Sequence, residues 1–195
     1  LALIGSAVQL RTYWGEGCPG SGYHNAMGRV LEQIPETDRE TRDALGRRWF
    51  GQEIQAGDWP THCAYCGERA PETANRQVFP SLVYRAPDGE TIYGRAFQRG
   101  DLYPSPCWRT QAVGACEWDN CNGTHWTLIL PNGHSWDMSS RASNCTMPQD
   151  RQHRCWVLHG DPPHSADKAG HTCAAGAGSI QSGDFHGFYR DGEIA

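Results

Sequence analysis

The chain has 195 residues, 38% of them apolar, with Gly 23, Pro 12 and Cys 9 and a formal net charge of −5. That length holds one sizeable domain or two small ones, and the Gly and Pro content implies many turns and short elements. The acidic balance, with no block of like charges, argues against a nucleic-acid binder working through bulk electrostatics, and "LALIGSAVQL" (residues 1–10) is too short to span a bilayer and has no basic leader.

Residues 11–20, "RTYWGEGCPG", read as a short strand running into a Gly/Pro loop. Ser21 then stands as an N-cap for "GYHNAMGRVLEQI", where Tyr23, Ala26, Met27, Val30, Leu31 and Ile34 fall at helical spacing ahead of Pro35. A second helix is expected over Asp38–Phe50, its narrow inner edge marked by Leu45 and Trp49. From Gly51 onward helical periodicity is lost. "QVFPSLVYRAPDGETIYGRAF" reads as two strands around Pro87-Asp88-Gly89, "THWTLILPNGHSWDM" as a hairpin, and "DFHGFYRDGEI" as a strand, an Asp-Gly turn and a strand stub. The expected fold class is therefore α+β. A helical N-terminal part, residues 1–55, precedes a β-hairpin-rich, loop-rich, zinc-stabilised part, residues 56–195, the two forming one structural unit.

Nine cysteines cannot all pair within one chain. With no export signal in view, thiols stay reduced in a cytosol, which favours metal over disulfides. Cys63-Ala-Tyr-Cys66-Gly67 is a C-x-x-C-G knuckle, whose turn can aim both sulfurs at one cation while its N–H groups stabilise their charge. Cys116 and Cys121, followed by Gly123, repeat the plan with looser spacing. Together Cys63, Cys66, Cys116 and Cys121 outline a four-cysteine zinc site. A second ion would draw on Cys145, Cys155, Cys173 and His186, with His153, His159 and His171 nearby. Disulfides, or buried thiols acting as small hydrophobes, are the plainer alternatives.

A cysteine hydrolase offers a different reading, with Cys18 ahead of the first helix as nucleophile, His125 as base and Asp137 orienting the imidazole. The hairpin register decides whether the last two meet. A three-residue turn, Pro131-Asn132-Gly133, sets Leu130 opposite His134, Leu128 opposite Trp136 and Trp126 opposite Met138, which gives one apolar face. His125 and Asp137 then become diagonal neighbours on the other face. The same histidine also serves the metal reading, because Cys116, Cys121 and His125 lie on one short loop.

The segment "WDMSSRASNCTMPQDRQHRCWVLHGDPP" (Trp136–Pro163), followed by "TCAAGAGSI" and "FHGFYRDGEI", resembles small cysteine-rich proteins encoded by actinobacterial phages, over about residues 115–194. Those proteins carry no established activity. The ending is also similar to a broader domain of unknown function in which cysteine pairs and a terminal histidine imply a small zinc-bound β-domain. For this sequence that implies Cys116, Cys121, Cys173 and His186 as another ligand set. Arg141 and Asn144 in "SSRASNCT" are either ligand contacts or, the simpler role, braces for a long loop.

The preferred expectation is a phage-encoded, non-catalytic binding or assembly protein with structural zinc. Its partners would be other proteins, such as those of the same phage, rather than nucleic acid or membrane, in the cytoplasm of the infected host or in the virion. The alternative is an amidohydrolase or peptidase using Cys18, His125 and Asp137.

Overall fold

The computed structural model describes residues 1–19, 22–35, 38–50, 52–93, 97–107, 121–168, 173 and 178–195. The chain divides into two compact units, Ala2–Ala96 and Phe97–Ala195 with Leu1. The boundary expected near residue 55 falls inside the first of these.

The first unit is built on an antiparallel sheet in the order β2-β1-β3-β4, from β1 (Ala2–Cys18), β2 (Gly22–Ile34), β3 (Asn75–Arg85) and β4 (Thr91–Tyr93). β1 lies in the middle, and its residues Gly5 to Thr12 are buried without interruption. Such a run needs a partner along each edge to satisfy its backbone groups, and β2 and β3 supply them.

The α+β expectation is overturned here. Gly22–Ile34 is a strand, not a helix, and among the described residues the sole α-helix is α1 (Arg39–Trp49). The apolar spacing in this segment is compatible with a helix, but good helix formers (Ala26, Met27, Arg29, Leu31, Glu32 and Gln33) are mixed with poor ones. Tyr23, His24, Asn25, Val30 and two glycines all rank low, so local preference gives way to pairing with β1. Burial also fails to follow the helical stripe: His24, Asn25 and Ala26 are consecutive and buried, while Tyr23 is 55% exposed.

The second expected helix is present. Asp38 caps α1, its Oδ1 accepting the Thr41 N–H at 2.9 Å. Leu45 is fully buried and Trp49 donates to Glu32 of β2 at 2.8 Å. At Gly28 the sheet is covered by Pro60 at close quarters. A Cβ there would sit 2.9 Å from the Pro60 ring and 3.0 Å from Leu10 Cβ. Neither neighbour can swing away, so Gly28→Ala is expected to lower stability by about 1–3 kcal/mol, read as a lower urea midpoint with an unchanged slope.

Among the described residues, the second unit contains three small antiparallel sheets. One joins β5 (Leu102–Pro106), β6 (Thr124–Ile129) and β7 (Ser135–Asp137). Another runs β13-β12-β9-β8, from β8 (Val157–Gly160), β9 (Pro163–Asp167), β12 (Tyr189–Arg190) and β13 (Glu193–Ile194). The third is the hairpin of β10 (Ile180–Ser182) and β11 (Phe185–Gly187). The β6–β7 hairpin has the three-residue turn: Leu128 pairs with Trp136, the Leu130 N–H donates to the His134 carbonyl, and Gly133 takes the left-handed conformation at φ 85°. Leu128, Leu130, Trp136 and Met138 share a core with Trp156, Ala166, Ile180 and Tyr189. The Trp136 and Trp156 rings meet edge to face at 4.9 Å. The Asp-Gly turn between β12 and β13 places Asp191 at φ 51° and Gly192 at φ 82°. Among the described residues, no helix is long and apolar enough to cross a membrane.

Candidate metal centres

Among the described residues, each unit carries one cluster of three cysteines and a histidine whose ligand atoms all lie within 4.8 Å of one another. A tetrahedral ion with bonds of about 2.3 Å to sulfur and about 2.0 Å to nitrogen separates its ligands by about 3.5–3.8 Å. Both clusters show pairs at that spacing.

The first cluster is Cys18, His24, Cys63 and Cys66. Cys18 closes β1 and His24 lies just inside β2, so the tip of the β1–β2 ribbon presents one sulfur and one imidazole. The knuckle comes from the segment between α1 and β3. It is held to β2 by the Ala64 N–H, which donates to the Asn25 carbonyl at 2.8 Å, and it turns through Gly67 at φ 75°. Cys18 Sγ and Cys63 Sγ are 3.7 Å apart, and Cys66 Sγ is 3.4 Å from His24 Nδ1.

Burial pushes the Cys63 thiol up, but N–H groups of Tyr65 and Cys66 and the Asn25 backbone outweigh it, bringing the thiol down to about 6. At Cys66 the Glu68 backbone favours the thiolate, yet desolvation and the neighbouring Cys63 and Cys18 sulfurs leave its pKa raised. Crowded sulfurs that resist ionising together are what a cation relieves.

The imidazole of His24 is positioned from its other side. Nε2 lies 3.6 Å from Glu68 Oε2, Trp14 stacks on the ring at 5.3 Å, and the Trp14 indole N–H donates to the same Glu68 at 3.4 Å. Partners of this kind orient a ligating histidine. Glu68→Ala is therefore expected to weaken metal binding at this centre by about 10–100-fold without affecting the other, as read by competition with a chromogenic chelator.

The second cluster is Cys145, His153, Cys155 and Cys173. His153 and Cys155, with one residue between them, turn their ligand atoms to the same side, Nε2 and Sγ being 3.6 Å apart. Both are buried. Cys145 Sγ accepts the Met147 N–H at 3.3 Å, as a thiolate in a knuckle does. Burial raises the Cys145 thiol, but Met147, Cys155 and Arg141 bring it below its ordinary pKa, whereas burial and the Cys145 sulfur drive Cys155 up to about 11. The Arg141 guanidinium donates to the carbonyls of Met147 (3.0 Å) and Asp150 (2.7 Å), so it braces the loop that carries Cys145.

The expected ligand sets are thus regrouped. Cys63 and Cys66 come together with Cys18 and His24, not with Cys121, which lies in the other unit. Cys116 lies outside the described residues. Cys145, Cys155 and Cys173 do come together, but their fourth partner is His153. His186 is exposed, with Nε2 3.0 Å from Ser179 Oγ. The set implied by the likeness of the ending to a broader domain of unknown function is divided in the same way, Cys173 lying in the second cluster and His186 outside it.

Cys18, the nucleophile of the hydrolase alternative, belongs to the first cluster, in a different unit from His125 and Asp137. Those two do meet: His125 Nδ1 is 3.5 Å from Asp137 Oδ2, and Nε2 is 3.4 Å from Cys121 Sγ. Hydrogen bonding to Asp137 raises the imidazole pKa against the opposing effect of burial.

His24 and His153 had signals in the sequence. A cysteine and a histidine lie six residues apart in "CPGSGYH", and "HRC" sets two donors with one residue between them.

No protein-family model, no curated protein and no solved structure matches this chain.

Proposed function

We propose that this is a non-catalytic binding or assembly protein whose two units are each held together by a structural zinc ion. One observation carries the reading: in each cluster four protein side chains, three thiols and an imidazole, bring their ligand atoms within 4.8 Å of one another, with pairs as close as 3.4–3.7 Å. A catalytic zinc keeps a coordination position for water or substrate, whereas a structural one is closed by four protein donors. A soft, thiolate-rich tetrahedral set favours zinc over calcium, magnesium or manganese.

A binding role also agrees with the exposed aromatic side chains near the first centre. Tyr23, beside His24, is 55% exposed, and Tyr65, within the knuckle itself, is 41% exposed. Tyrosine is enriched at protein interfaces because it combines apolar area with a polar tip. A phage origin, implied by the resemblance in the C-terminal blocks, would make the protein a virion component or an accessory factor of the infected cell, with other proteins as partners.

Elemental analysis of protein purified without added metal tests the reading. At least two zinc ions per chain are expected, with the thiols protected from iodoacetamide until a chelator is added. Fewer than two ions per chain, or rapid labelling of Cys18 near pH 6 in the untreated protein, would sink it.

A further inference from the structure

We infer that Cys121, His125 and Cys107 are donors of a third metal centre, separate from the two clusters and built on the β5–β6 strand pair. This rests on the reading of the other two as metal centres. Six of the nine cysteines belong to those clusters, which leaves Cys107, Cys116 and Cys121 within a span of fifteen residues.

Two of the three are drawn together by the fold. Pro106 pairs with Thr124, and the Cys107 N–H donates to the Gly123 carbonyl at 2.9 Å, so Cys107 enters beside the turn that carries Cys121. Cys121 Sγ and His125 Nε2 are 3.4 Å apart, the same separation as the Cys66–His24 pair. The Gly123 N–H donates to Cys121 Sγ at 3.3 Å, which matches the Met147 N–H on Cys145 in the second cluster, and Gly123 adopts φ 88°. His125 is buried and has Asp137 at Nδ1, the outer partner that fixes a ligating imidazole with Nε2 turned toward the ion.

The competing use of the same residues is a cysteine–histidine–aspartate nucleophile, since a thiol on one ring nitrogen and a carboxylate on the other suit both chemistries. The surroundings favour metal. A nucleophile needs a cavity for its substrate. The cavity of about 410 Å³ beside β6 is lined by Asn122, Thr124, Trp126 and Met138, together with residues of the 154–161 segment. Side chains alternate along a strand, so His125 faces away from that space.

Native mass spectrometry of the wild-type protein, purified without added metal, is expected to show three zinc ions per chain, falling to two in Cys121→Ser. Two ions in the wild type would overturn the third centre while leaving the first two intact, and fewer than two would overturn both readings. A readout that does not depend on the variant folding is alkylation of the untreated wild type by iodoacetamide at pH 6. Protection of Cys121 until a chelator is added supports coordination. Reaction of Cys121 ahead of every other thiol marks an activated nucleophile and overturns the proposal.

Discussion

Stripping the metal with a strong chelator is expected to unfold both units, seen as a red shift in tryptophan emission and loss of near-ultraviolet dichroism. The magnitudes make this the largest effect available. A small domain retains about 5–15 kcal/mol of net stability, and a structural zinc site contributes an apparent 10–16 kcal/mol or so at neutral pH. The first unit has a long sheet but one short helix to cover it, and the second has strands of two to six residues. Neither has apolar burial to spare, and with eight tryptophans the emission reports on the whole chain. Release of metal, followed by a zinc-sensitive dye, without any change in emission would show that the clusters do not hold the fold.

The second large effect is expected from Cys155→Ala. Cys155 is 1% exposed, packs in the core of the second unit and donates one of the four ligand atoms there. The substitution loses a ligand and leaves two sulfurs and a histidine without their ion. The expected cost is on the order of 4–5 kcal/mol, the range reached when a metal or disulfide is lost. The metal count should fall by one. Because the clusters lie in different compact units, faster hydrogen exchange is expected within Phe97–Ala195 while Ala2–Ala96 keeps its protection. Loss of protection at the first centre as well would mean that the two are energetically one.

How much of this was legible depended on the range of the interaction. The β6–β7 register was readable because Trp126, Leu128 and Leu130 alternate, and glycine at position 133 selects the turn. Helix α1 was readable from Leu45 and Trp49, four residues apart. Gly22–Ile34 was misread because a six-residue apolar pattern fits a helical stripe while the deciding contact, pairing to β1, is tertiary. The knuckle at Cys63 and Cys66 is local and stood out. Its partners are remote, and their identity follows from which strands neighbour each other, which spacing alone does not encode. Cys121 was assigned to that knuckle by analogy of spacing, although the chain carries it into the other unit.

The position of the first cluster bears on the β1–β2 ribbon itself. That ribbon pairs over its whole length through four irregularities, at Val8/Gln9, Gln9/Arg11, Trp14/Glu16 and Glu16/Cys18, so hydrogen bonding alone tolerates more than one alignment. A one-residue slip would turn every side chain of β2 to the opposite face and carry His24 away from Cys18. An ion gripping both at the tip where the two strands join would accept a single alignment, and so would act as the pin that sets the reading frame of the β1–β2 pair.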